Sequence, residues 1–170
     1  MKGFTLIETM VVVALMGVLL TATSLMMINT LKAKNRTVVM ENVEQNSSEI
    51  ARQIKNLLLA AEVNSILCPV GQGSSITFIN SSDQGITSIV CNNDRISSQS
   101  GILKINNWLT NEAVKVSNCE RFISCSTMPS VDGDKVSSVE FTYYLDSGST
   151  LAGVENYSKK LFNFSVGIRN

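Results

Sequence analysis

FTLIETMVVVALMGVLLTATSLMMINTL, residues 4–31, is the stretch on which the reading of this chain turns. From Thr9 to Leu31 it carries no charged side chain over 23 residues. At a rise of ~1.5 Å per residue such a run makes about 35 Å of helix, enough to cross a hydrocarbon core of ~30 Å with some tilt. A single acid interrupts the apolar block. Glu8 stands between Phe4, Leu6 and Ile7 on one side and Met10 to Val13 on the other. An ionised side chain near the centre of a membrane helix costs ~2.5–3.5 kcal/mol on insertion scales, and less near an interface. Glu8 therefore either stays hydrated at the membrane surface or has a partner.

Past Leu31 the helical pattern continues without glycine or proline from Val18 to Cys68. Val43, Ile50 and Leu57 recur every seven residues, with Met40, Ile54 and Ala61 on adjoining rows, while Glu41, Glu44, Glu49, Arg52 and Lys55 take other positions. A heptad run this short reads as a core face rather than a coiled coil. The expectation is one helix from about Phe4 to the mid-sixties, ended by Cys68-Pro69-Val70-Gly71-Gln72-Gly73.

The remainder of the chain reads as short strands. Ser75–Asn80 and Gly85–Cys91 flank Ser81-Ser82-Asp83-Gln84, a hairpin signal. Asn92-Asn93-Asp94 turns toward a strand at Arg95–Ser97, and Gly101–Asn106 is the next. Leu109-Thr110-Asn111-Glu112 reads as a turn. Val136–Leu145 is the clearest strand, with Val139, Phe141, Tyr143 and Leu145 alternating against Glu140, Thr142 and Tyr144. Asp146 to Lys159 reads as a polar loop, and Phe162, Phe164, Val166 and Ile168 alternate in a last strand. A helix followed by strands, with no βαβ alternation, is an α+β arrangement.

Composition narrows the function. The 170 residues allow one membrane or assembly helix and one small domain. Fourteen basic and fourteen acidic residues cancel, so the total charge carries no footprint for nucleic acid. Arg95, Lys104, Lys115 and Arg121 are scattered among Asp94, Glu112 and Glu120. The absence of histidine removes the commonest general base and metal ligand, and with them Ser-His and Cys-His nucleophile pairs. An enzyme is not expected, and no cofactor is called for.

Cys68, Cys91, Cys119 and Cys125 form no C-x-x-C, so zinc and thioredoxin-like sites have little support. An even count behind an export segment favours disulfides in an oxidising space. Three pairings are possible, and neighbour pairing, Cys68–Cys91 with Cys119–Cys125, is the first choice. It carries a condition. Six steps of strand span ~20 Å while bonded cysteine Cα atoms lie ~4.4–6.8 Å apart, so a continuous strand from Asn118 to Ser126 would forbid the second bond.

Gly3 followed by FTLIE and a long apolar helix resembles the N-terminal signature of type IV prepilins and pseudopilins. The resemblance covers about the first 30 residues. It implies a leader at residues 1–3, cleavage by a prepilin peptidase between Gly3 and Phe4, and N-methylation of Phe4. It further implies that Glu8 meets the positive terminus of a neighbouring pilin or pseudopilin subunit during assembly. A cation and a carboxylate placed together in lipid each lower the other's cost. The implied fold is pilin-like, with a membrane helix at 4–31, an amphipathic continuation at 32–67 and a β-rich domain at 68–170 whose antiparallel sheet packs on the helix's second half. With prolines only at Pro69 and Pro129, the first helix should run unkinked, which leans toward a minor pilin or pseudopilin.

Lys32, Lys34 and Arg36 outnumber Lys2, and counted alone they would place the C-terminal side in the cytoplasm. The resemblance and the cysteine usage point the other way, to a single-pass protein with an extracytoplasmic domain. An anchored binding or adhesin domain is the reading from another class, and Glu8 separates the two. A mere anchor should tolerate Glu8→Leu, whereas an assembling subunit should fail to incorporate. Three smaller signals are read as ordinary surface chemistry. Asp132-Gly133-Asp134 is taken as a turn rather than a calcium loop. The acceptor patterns at Asn35, Asn46, Asn80, Asn156 and Asn163 are given no role. Trp108, Tyr143, Tyr144 and Tyr157 are read as core or rim packing rather than a binding surface.

Overall fold

The helix begun in the apolar stretch is unbroken over 54 residues, α1, Leu6–Leu59, in a computed structural model that describes residues 5–82, 84–101, 105–128, 135–148 and 157–168. The chain divides into two compact units, Met1–Val38 and Val39–Asn170. The first holds the leading part of α1. The second holds the rest of α1 and, among the described residues, nine strands: β1 Gln72–Gly73, β2 Ser75–Ile79, β3 Ile86–Asn92, β4 Arg95–Ser100, β5 Ile105–Trp108, β6 Val114–Ser117, β7 Ile123–Met128, β8 Lys135–Gly148 and β9 Tyr157–Gly167. This is the expected α+β, pilin-like layout, built with two antiparallel sheets where one was foreseen. One sheet is β2-β3-β4-β5, and the other runs β1-β7-β8-β6 with β9 also on β8.

Within the second unit α1 turns one stripe inward. Val43, Ser47, Ile50, Ile54 and Leu58 are buried, at spacings of three and four that keep them on one helix face. They join Ile76, Phe78, Ile89 and Ile96 from the four-stranded sheet and Val139, Phe141, Tyr143 and Leu145 from β8 in one core. The β8 alternation read from sequence is the alternation observed. Phe122, in a stretch whose structure the sequence left open, is fully buried among these residues, with ring centroids 5.4 Å from Phe141 and 5.8 Å from Tyr143. Phe162 and Phe164 of β9 stack on Tyr143 and Phe141 at 5.9 and 5.1 Å. Burial pushes the Tyr143 hydroxyl's pKa up, partly offset by its contact with the Ser47 hydroxyl at 3.5 Å.

Two expectations are corrected. The helix stops at Leu59, short of Leu67, although neither glycine nor proline stands there. The backbone is captured by β2 instead. The Ser81 amide and hydroxyl both donate to the Ala60 carbonyl at 2.8 Å, and the Glu62 amide donates to the Ile79 carbonyl at 2.8 Å. Further on, Leu67 bridges Thr77. Strand hydrogen bonds replace helical ones, so no breaker is needed. The second correction is the disulfide pairing, which is Cys68–Cys125 and Cys91–Cys119 rather than neighbour with neighbour. A strand does occupy Ile123–Met128, placing Cys125 opposite Val139 on β8, while Cys119 sits in a 3-10 turn before it. Cys119 there reaches Cys91 on β3, and that bond joins the four-stranded sheet to the turn leading into β7.

Strand edges differ in detail. The strand foreseen at Gly101–Asn106 is β5, two residues later at its end, and β4 runs on to Ser100. β8 and β9 extend into the foreseen polar loop, pairing as far as Gly148 with Tyr157. Asp132, Gly133 and Asp134 lie outside the described residues.

The two bonds close loops with sequence separations of 57 and 28 residues. Each should stabilise the domain by about 2–4 kcal/mol. Non-reducing digestion after Arg95, Lys115 and Arg121 and before Asp83 should give linked peptides joining Cys68 to Cys125 and Cys91 to Cys119. A free fragment pair joined through Cys119 and Cys125 would restore the neighbour pairing.

Candidate functional site

Residues 6–31 of α1 are apolar around the whole circumference. Their large hydrophobic side chains are between 47% and 78% exposed, from Val12 to Leu6. A helix apolar all round is stable when lipid or other helices surround it, and this one is long and apolar enough to cross a membrane.

Hydroxyls in such a segment need partners, because lipid offers none. They find them in the helix itself. Thr9 donates to the Leu6 carbonyl at 2.8 Å, Thr21 to Val18 at 2.8 Å, Ser24 to Leu20 at 2.8 Å and Thr30 to Met26 at 2.8 Å. Thr23 divides its bond between Leu19 and Leu20, at 3.1 and 3.0 Å. These are the back-bonds to i−3 and i−4 carbonyls that let Ser and Thr sit inside a helix. Gly17 has nothing within 4 Å of where a Cβ would stand, so nothing in the chain itself requires a glycine there.

Glu8 is the exception. It lies in the first turn of α1, where the helix dipole favours a negative charge, and it is exposed. None of the described residues supplies a partner to its carboxylate. Gly3 and Phe4, the expected cleavage and methylation positions, lie outside the described residues.

The other sequence-level candidates separate. The four cysteines are brought together as two disulfides. The aromatics are not: Tyr143 is buried in the core, Tyr144 lies under Lys159 at 4.9 Å from ring centroid to Nζ, and Trp108 is packed by Arg95. The side chain of Tyr157 is not among those described. Arg95, Lys115 and Arg121 fall on β4, β6 and the 3-10 turn and make no stripe, and Lys104 lies outside the described residues. No metal-binding group of three is present among the described residues. Glu49 is held down at about 2 by the Arg52 guanidinium and the Gln53 amide. With Arg52 and Glu49 65% and 44% exposed, that is surface helix pairing of the i,i+3 kind.

One feature escaped the sequence reading: a cleft of ≈ 460 Å³ where α1 meets the β4–β5 edge, lined by Trp108 and several amides. The lone tryptophan on a strand ending beside two asparagines was the available signal.

Residues 1–24 match the family profile described as the prokaryotic N-terminal methylation motif. No curated protein and no solved structure matches the chain.

Replacing Glu8 with Leu should make membrane insertion of this segment more favourable. The gain should fall below the ~2.5–3.5 kcal/mol of a mid-bilayer charge, because Glu8 lies near the helix start. A translocon insertion assay on residues 1–36 measures it. Loss of insertion would contradict the reading of Glu8 as a charge that the anchor itself does not need.

Proposed function

We propose, on the premise that residues 1–24 carry the type IV prepilin signature, that the chain is a structural subunit of a pilus-like fibre, a minor pilin or pseudopilin. A prepilin peptidase cuts after Gly3 and the new terminus at Phe4 is methylated. Residues 4–31 hold the subunit in the cytoplasmic membrane until it is drawn into the fibre, where first helices pack side by side. Glu8 then meets the N-terminal ammonium of a neighbour, and the strand-rich domain faces outward at the cell surface. The work is assembly, through packing and one buried charge pair, with no catalytic step.

The observation that carries this reading is the contrast inside α1. The hydroxyls of Thr9, Thr21, Thr23, Ser24 and Thr30 are all bonded within the helix, while the segment's one carboxylate finds no partner among the described residues. A plain anchor has no use for that charge, whereas a neighbour's terminus at Phe4 supplies the missing cation. The absence of proline from the apolar segment favours a minor pilin or pseudopilin. Two disulfides favour an extracytoplasmic domain against the vote of Lys32, Lys34 and Arg36.

Intact-mass and N-terminal analysis of the protein from membranes of its own cells tests the processing. The expected chain begins at methylated Phe4. A chain beginning at Met1 overturns the reading and leaves the anchored binding domain in its place. Assembly is tested separately by Glu8→Leu, which should remain in the membrane and be missing from the sheared fibre fraction. Incorporation at the unaltered level would remove Glu8 from the mechanism.

A further inference from the structure

We infer that the cleft between α1 and the β5 edge of the four-stranded sheet binds a neutral saccharide, with Trp108 as its stacking surface. The site belongs wholly to the second unit and does not depend on how the first helix is used.

The chemistry of the lining selects the ligand class. Gln53, Asn56 and Leu57 come from α1, Ser98 from β4, and Asn107 and Trp108 from β5. None of the described lining residues is ionisable, so that lining offers no charge to balance a phosphate, a carboxylate or an ammonium. Four of these six carry an amide or a hydroxyl, which disfavours a purely apolar guest. A pyranose combines what is left, an apolar C–H face with a rim of uncharged hydroxyls that both donate and accept.

The polar groups are available. The Asn56 and Asn107 side-chain amides make no hydrogen bond to the described residues, and each offers two donors and an acceptor. Gln53 commits one N–H to Glu49 at 2.6 Å, leaving its second N–H and its carbonyl oxygen for a ligand. Ser98, only 8% exposed, still lines the cleft.

The aromatic surface is preset. Trp108 is 49% exposed, a high value for the only tryptophan of the chain. Arg95 lies 4.6 Å from its ring centroid, and the same guanidinium donates to the Thr110 carbonyl at 3.3 Å. Arg95 does not itself line the cleft, so it holds the indole without filling the place a ligand would take. An aromatic fixed in advance loses little entropy on binding. The volume of ≈ 460 Å³ lies within the ~300–1,000 Å³ of small-molecule sites.

Because Trp108 is the only tryptophan, its emission reports this cleft alone. The full chain should be titrated in a zwitterionic detergent, since glycoside detergents would compete. The probes are methyl β-galactoside, methyl α-mannoside and N-acetylglucosamine. At least one should shift the emission saturably, with a dissociation constant of roughly 1 mM or tighter. Asn56→Ala and Asn107→Ala, each checked for both disulfides and an unaltered melting temperature, should weaken that binding about tenfold. Should Asn56→Ala misfold, Asn107→Ala, on an exposed edge strand, carries the test. No saturable response to any of the three sugars overturns the inference. So does binding that both asparagine variants leave unchanged, or a stronger response to free sialic acid, whose carboxylate finds no cation among the described lining residues.

Discussion

The inward stripe of α1, Val43, Ser47, Ile50, Ile54 and Leu58, is the surface on which the rest of the domain depends. The inner residues of β8 and of the four-stranded sheet share one core with that stripe. Fully burying one such aliphatic side chain contributes ~1.5–3 kcal/mol, so a helix face of this size is worth more than any single hydrogen bond around it. Ser47 is the one polar member of that stripe, and its hydroxyl lies 3.5 Å from that of Tyr143 in the core. The same constraint explains why α1 is apolar on one stripe here and apolar nearly all round up to Leu31. The first arrangement suits a protein core on one side and water on the other, and the second suits surroundings with no aqueous side.

Continuity of the helix has a further role. Because no proline or glycine separates the apolar segment from the packed one, both are read from a single 54-residue element. The hydroxyl back-bonds satisfy the Ser and Thr side chains within the early helix. The Glu8 carboxylate finds no counter-charge among the described residues.

Much of this was legible in the chain. The apolar run, the helix continuing into an amphipathic face, the β2–β3 hairpin and the alternation of β8 and β9 all follow from local pattern, because period and side-chain direction are properties of each element alone. The end of α1 was not legible. It depends on Ser81 and Ile79 offering better partners to Ala60 and Glu62 than the next helical turn would, and such competition appears only once the hairpin is folded. The disulfide pairing was hidden for a similar reason: sequence proximity joined Cys119 to Cys125, whereas β7 lying flat on β8 carries them apart. Phe122 gave no periodic signal, since it stands between a 3-10 turn and a strand. The Trp108 cleft draws on α1, β4 and β5 together, and no single segment announces it.

The nested order of the two bonds has a consequence for biogenesis. A domain threaded from its amino-terminal end into an oxidising space exposes Cys68 and Cys91 while both native partners are still on the other side. Prompt oxidation would join those two and trap the wrong isomer. The native pattern, with Cys91–Cys119 enclosed by Cys68–Cys125, closes only after Cys125 has emerged. Reaching it requires either that oxidation lag behind folding or that a thiol–disulfide isomerase reshuffle an early bond. Under the proposed export, the maturation of this domain is tied to the redox catalysts of the compartment that receives it.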